Sequence, residues 1–238
     1  MIKKLLVGIG IMSMSMLPCL SFAQSVQEFT QEVFGLQLGD SYEHVSQTHR
    51  LAADETQPKG SPSQMYSMVL EVPEIDGAPL YRAATLIFYE NRLASISVSY
   101  MNREDIIVQL RSNLIKHLGI PTNIDTVDMS VSSNEKDILT SYVWFNGDMR
   151  AVFDTSSLSE VQNNLISFSY IPLEEKNMEG QDMEYARSLK ENAGFKMMFE
   201  ELIRKNSSYK EEIKKKMEKN PEYAAALRDS GVDMTIFD

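Results

Sequence analysis

Residues 81–100 read YRAATLIFYENRLASISVSY. Two runs rich in β-branched and aromatic residues, Tyr81 to Tyr89 and Arg92 to Tyr100, flank the polar pair Glu90-Asn91. Such runs around a two-residue break predict a β-hairpin. In the second arm Ser95 and Ser97 fall on one face and bulky apolar residues on the other, as expected of a sheet with one buried face. Leu165-Ile166-Ser167-Phe168-Ser169-Tyr170 repeats the pattern.

Outward from the two echoing strands, the chain reads as one unit used twice, a helix followed by three strands. In the first copy Asp40 caps a short helix that ends near Leu51, with Glu43 three residues on. A polar loop, Asp54 to Pro62, leads to a strand near Gln64 to Val72, a turn at Asp76-Gly77 and the quoted hairpin. In the second copy Asn102 caps a helix whose Ile106, Ile107, Leu110, Leu114, Ile115 and Leu118 recur at three- and four-residue steps, up to Gly119. A polar loop, Thr122 to Asp137, precedes Leu139 to Phe145 and Asp148 to Phe153, joined through Asn146-Gly147, the pairing favoured in a type I′ turn.

Past Pro172, read as the end of a strand pattern, composition shifts. Residues 24–173 carry 9 Lys+Arg against 19 Asp+Glu, whereas residues 174–238 carry 12 against 15 in a much shorter stretch. The run Glu174-Glu175-Lys176-Asn177 reads as a connector. Helical periodicity follows, with one stripe of Ala186, Leu189 and Ala193 and a rotated one of Phe195, Met198, Phe199, Leu202 and Ile203. That rotation predicts a break at Asn192-Ala193-Gly194. Ser208 with Glu211 predicts a third helix, and Asn220-Pro221 a fourth that stops near Gly231. The expected fold is therefore α+β: two tandem helix-plus-three-strand units forming an antiparallel sheet, then a C-terminal string of short helices.

The first residues have the form of an export leader: Lys3-Lys4, an apolar run from Leu5 to Leu17, and the small-x-small site Ser21-Phe22-Ala23. The expected divisions are 1–23 (signal peptide), 24–173 (tandem-unit domain) and 174–238 (helical region), with cleavage near Ala23 delivering the product to the periplasm or outside the cell. Cys19 is the sole cysteine, so the chain from Gln24 onward contains none. This excludes disulfides, thiol catalysis and thiolate metal sites there. No later stretch reaches the ~20 apolar residues of a membrane span. The acidic balance argues against nucleic acid and anionic lipid as partners and favours a basic one.

No constellation with the form of a reactive site emerges, so the expected catalytic, cofactor and metal residues are none. Asp40, Ser41 and His44 invite a triad reading, yet a triad is assembled from separate segments, and a helix cap explains Asp40 and Ser41. His49 and His117 have no partner pattern. Asp125-Thr126-Val127-Asp128 and Asp229 to Asp238 lack the alternating ligands and central glycine of a calcium loop. Gly35 and Gly39 lack the lysine of a phosphate loop. Met197-Met198, beside Phe195 and Phe199, read as core filling. Lys214-Lys215-Lys216 is offset by Glu211, Glu212 and Glu218, the composition of a solvated helix face. Trp144, beside Tyr142, reads as a core aromatic.

Gly35-x-x-x-Gly39-x-Ser41-x-x-x-Val45 with its hairpin resembles the small envelope lipoproteins of the outer-membrane assembly (BamE-like, SmpA/OmlA) superfamily. Leu118-Gly119-Ile120-Pro121 followed by Tyr142-Val143-Trp144 repeats that pattern. Tandem units of this kind also resemble the beta-lactamase inhibitor protein fold. The resemblance covers residues 34–171. Departures are the missing lipid-bearing cysteine after the leader, the missing Gly-x-Pro after the first helix, and the tail. It implies a fold and a leaning towards protein binding, and transfers no functional residue. The expected function is thus a non-enzymatic envelope protein that binds another envelope protein as adaptor, inhibitor or assembly factor. A small-ligand or ion-binding module and a hydrolase are the alternatives.

Overall fold

The computed structural model describes residues 23–55, 57, 61–128, 138–157 and 164–237. Lys3, Lys4, Cys19 and Ser21, on which the expected export leader rests, lie outside them. Among the described residues the fold is α+β, with seven α-helices, an eight-stranded antiparallel sheet and a helical C-terminal part.

The first helix, α1 (Val26–Phe34), has no counterpart in the sequence expectations. Ser25 and Glu28 form a reciprocal capping box at its start, and Gly35 ends it at φ 69°. Helix α2 (Tyr42–Thr48) is capped by Ser41 rather than Asp40: the Ser41 hydroxyl accepts from the His44 N–H. There follow β1 (Leu51–Ala53), β2 (Ser63–Val69), a two-stranded flap of β3 (Glu74–Ile75) and β4 (Ala78–Pro79), then β5 (Ala83–Tyr89) and β6 (Arg92–Tyr100). The β5–β6 hairpin has Tyr89 opposite Arg92, leaving Glu90 and Asn91 at φ 47° and 67°. Two consecutive positive φ values are the I′ geometry. The strained Asn91 is held by its amide on the Glu43 carboxylate and by its carbonyl, which accepts from Tyr42 N.

Helix α3 (Glu104–Leu118) starts at Arg103, not Asn102. Asn102 reaches across the sheet end instead, donating to Ser156 O and accepting from Asn164. After α3 come β7 (Asn123–Asp128), β8 (Ile138–Asn146), β9 (Met149–Ser156) and β10 (Asn164–Tyr170). Part of the expected polar loop is therefore an edge strand. In the β8–β9 hairpin Asn146 pairs with Met149, so Gly147 and Asp148 make the turn and Gly147 alone has positive φ. The expected type I′ geometry is found at Glu90-Asn91, not here.

The strand order is β1-β2-β5-β6-β10-β9-β8-β7. Each half of the sheet is a four-stranded meander rather than a three-stranded one, and the halves meet where β6 pairs with β10, Ser97 opposite Ser167. Alternation sends Leu86, Phe88, Ile96, Val98, Phe153, Ile166 and Phe168 to an inner face. They pack there with Phe29 and Phe34 of α1, Val45 of α2 and Leu110 and Leu114 of α3. Trp144 belongs to this core, its indole N–H donating to Gly119 O at 2.8 Å.

Helix α4 (Ile171–Glu191) begins directly after β10, so the expected connector Glu174 to Asn177 is helical. Pro172 sits in the first turn, where its missing N–H costs nothing. Helices α5 (Ala193–Lys205), α6 (Ser207–Lys219) and α7 (Pro221–Asp229) follow at single-residue joints. Asn192, Asn206 and Asn220 each end one helix and cap the next, with φ/ψ of −126/96°, −122/99° and −127/93°. The expected break at residue 192 is thus made by an asparagine cap, and the third helix is capped by Asn206 rather than Ser208. A second core, of Ala186, Leu189, Phe199, Ile203, Ile213, Tyr223 and Leu227 with C-terminal Val232, Ile236 and Phe237, holds the tail together.

Candidate interaction surface

The face of the sheet opposite α1, α2 and α3 carries the serines singled out in the sequence. Strand registers align Ser67, Thr85, Ser97, Ser167, Val152, Val143 and Asn123 in one continuous row across seven strands. Four adjacent hydroxyl residues therefore stand side by side at its centre. Ser67 is exposed, and Thr85, Ser97 and Ser167 are half-buried. The neighbouring row runs Met65, Ile87, Ser95, Ser169, Arg150, Phe145.

Helix α4 lies over this second row. Arg150 Nη2 meets Glu174 Oε1 at 2.6 Å, Gly180 lies against the Tyr89 ring, and Glu184 accepts from the Ser61 hydroxyl at 3.0 Å. A Cβ on Gly180 would meet that ring at 3.5 Å, an ordinary van der Waals contact, so α4 lies one side-chain layer from the sheet here. Ser169 is 3% exposed. Small side chains in this row admit α4, and the central row stays open beside it. On α4 the side chain of Asn177 is buried, and its Oδ1 has no hydrogen-bond partner among the described residues.

Where α4, α6, α7 and β9 converge there is a cavity of about 240 Å³ lined by Arg150, Glu174, Met178, Asp182, Lys216 and Tyr223. Its cations are engaged: Arg150 with Glu174, and Lys216 with Asp182 at 3.0 Å. It falls below the ~300–1,000 Å³ of ordinary small-molecule sites. Burial pushes the Tyr223 phenol well up from its usual range, reinforced by the nearby Asp182 carboxylate. On the inner face burial does the same to Tyr100, whose hydroxyl donates to Asp154 O at 2.6 Å.

The other sequence candidates are dispersed. Ser41 is occupied as a cap, and His44 Nε2 stands 3.9 Å from Asp40 at an exposed position. His49 Nδ1 contacts Thr48 Oγ1 at 2.8 Å. His117 bridges Gln24 Oε1 and Asp76 Oδ2. The Asp76 carboxyl is held below the usual carboxylate range by donation from Lys116 and then from His117. Asp125 accepts from the Asn123 amide. In the lysine run, Lys214 pairs with Glu211 and Lys216 with Glu212. Asp233 is taken by Thr235 and Arg204, and Asp238 lies outside the described residues.

Met197 and Met198 are 66% and 67% exposed, which corrects their reading as core filling. Phe199 and Ile203 take the buried side of α5, so Phe195, Met198 and Leu202 form an apolar stripe on its outer side. Sequence reasoning also missed Ser67 and Thr85. Their alternation with the buried Met68, Ala84 and Leu86 was the available signal. Among the described residues no group of three His, Cys, Asp or Glu side chains is placed to hold a metal ion, and no helix is long and apolar enough to cross a membrane. No family model, curated protein or solved structure matches the chain.

Proposed function

We propose that the protein is an exported, non-enzymatic binding module of the cell envelope that engages another envelope protein through the open outer face of its sheet. The observation that carries this reading is the row Ser67, Thr85, Ser97 and Ser167. It is a contiguous run of small hydroxyl side chains, exposed or half-exposed beside α4, on the face of the sheet opposite α1, α2 and α3. Such a patch lets another backbone or side chain approach closely while offering donors and acceptors to it. The excess of acidic residues in 24–173 favours a partner with a basic surface. The sheet is a duplicated unit. Supporting this are the mirrored strand order about β6 and β10 and the helix, α2 or α3, that precedes each meander. The likeness to BamE-like lipoproteins and to beta-lactamase inhibitor protein units fits the same reading, and the product acts in the periplasm or outside the cell after cleavage near Ala23.

The test is photo-crosslinking in living cells from Ser67, Ser97 and Ser167, with the α4-covered Ser169 as a position expected to give no intermolecular adduct. Specific adducts from the three open positions to one envelope protein are the expected result. Silence at all three, alongside substrate turnover by the purified protein, overturns the reading in favour of a hydrolase. A thermal shift with a small ligand under the same silence favours a ligand-binding module.

A further inference from the structure

The last turn of a helix carries carbonyls that its own backbone leaves unpaired, together with the negative end of the helix dipole. At the end of α3 three groups are accounted for. Gly119 N donates to Ile115 O, Trp144 Nε1 donates to Gly119 O, and the His117 carbonyl accepts from Gln24 N at 2.7 Å. The Gln24 side chain is clamped as well: its amide nitrogen donates to Glu32 Oε2 at 2.6 Å, and its oxygen stands 3.2 Å from His117 Nδ1. Gln24 is also the residue that cleavage after Ala23 would leave first in the chain.

We infer that α3 holds a binding site for the protein's own new N-terminus, in which the Gln24 α-ammonium released by leader cleavage docks on the His117 carbonyl and completes the C-terminal cap of α3. This inference rests on the export reading above. Before cleavage the same nitrogen is a neutral amide making an ordinary hydrogen bond. Afterwards it carries a positive charge at the negative end of a 15-residue helix, where a cation is favoured and its hydrogen bond strengthened. The charged and titratable groups around it are Glu28 and Glu32 on α1, Lys116 and His117 on α3, and Asp76 on the β3–β4 turn. Glu28 is turned to Ser25, and Lys116 is engaged by Asp76, leaving Glu32 as the carboxylate on the Gln24 side.

The site has a chemical corollary. An N-terminal glutamine cyclises when its free amine attacks its own side-chain amide carbon, forming the lactam C–N bond and expelling ammonia. With the amine on His117 O and the side-chain amide on Glu32 and His117, folded protein keeps Gln24 linear.

Two measurements decide the matter. The intact mass of the exported product is expected to show an uncyclised Gln24 with a free amine, and complete loss of ammonia from folded product overturns the inference. Separately, three chains with defined N-termini are melted: free Gln24, α-acetylated Gln24, and Gln24 preceded by Ala23. At about pH 6.5 the free amine is expected to raise the thermal midpoint by about 2–4 °C over both blocked chains. The ammonium pKa is raised on folding from roughly 7.7–8.0, so the gap is full below that range and closes as pH climbs through the raised value. Equal midpoints at about pH 6.5 overturn the inference. A product that keeps its leader defeats the cleavage reading alone, because the melting comparison does not depend on cellular cleavage.

Discussion

The sheet and the tail solve the same burial problem in different ways. In the sheet, two meanders of neighbouring strands are joined by one pairing distant in sequence, β6 with β10, and α1, α2 and α3 seal the inner face with Phe29, Phe34, Val45, Leu110 and Leu114. The tail is a set of charged helices that fold back at Asn192, Asn206 and Asn220, so that α7 returns against α4 and each helix presents two or three apolar residues to a shared centre. The two cores share no residue. Helix α4 joins the two regions, lying on the outer face of the sheet through Glu174 and Gly180 and entering the tail core through Ala186 and Leu189. The core of the sheet is nearly complete. The tail leaves α5 half-covered, with Phe195 54% and Leu202 46% exposed.

The sharpest test of that contrast is Phe168→Ala. Phe168 is fully buried, its ring 5.5 Å from that of Phe29 and 5.6 Å from that of Phe34. Its loss should cost about 3–5 kcal/mol, read as a lower urea midpoint. A loss under about 1 kcal/mol would show that the sheet core is not the main store of stability. Leu227→Ala, at the fully buried centre of the tail, should cost about 2–5 kcal/mol of tail stability. Hydrogen exchange should then quicken in α5, α6 and α7 while β6 and β10 stay protected; equal loss in both regions would make them one cooperative unit. Asn206→Ala removes the oxygen that accepts from Tyr209 N and should cost about 1 kcal/mol, with helicity lost first in α6.

The smallest effect concerns Asp76, which ties the β3–β4 turn to the end of α3. Its carboxyl titrates below the usual range, so its contribution is present above the unfolded value of roughly 3.9 and is lost as pH falls through its lowered folded value. Partial exposure of the Lys116–Asp76 pair keeps that contribution small. Asp76→Asn should therefore lower the neutral plateau of the pH–stability curve slightly and flatten the acid limb, the two curves converging below the lowered folded value. A steeper acid limb in the variant would reverse the assigned sign.

Much of this was legible in the sequence wherever burial imposes a pattern. The β5–β6 hairpin, α3 and the β9–β10 strands declare themselves because Leu86, Phe88, Ile96, Leu110 and Phe168 must all reach one core. Strand β7 did not, since Asn123, Asp125 and Thr126 lie at a wetted edge and bury too little to leave an alternation. Pro172 misled for a local reason: the residue that stops a strand is also a good first-turn residue of a helix. Serine alternation at 95, 97, 167 and 169 marked the outer face correctly. It held no sign that α4 would cover one row and spare the next, because that choice depends on Arg150, Gly180 and Glu184 meeting partners far away in sequence.

The pairing of β6 with β10 has a consequence for the order of events as the chain folds. Strand β6 is complete once Tyr100 has emerged, yet its partner arrives only after α3 and β7 to β9 have followed. During that interval a nine-residue strand with Leu93, Ile96 and Val98 presents an unpaired edge, a template for any other chain in the same state. Closing so long a loop is slow, and slow closure prolongs the hazard. A chain threaded across a membrane from its N-terminus would meet this interval on the far side, and a chaperone that shields the edge of β6 would raise yield without altering the finished fold.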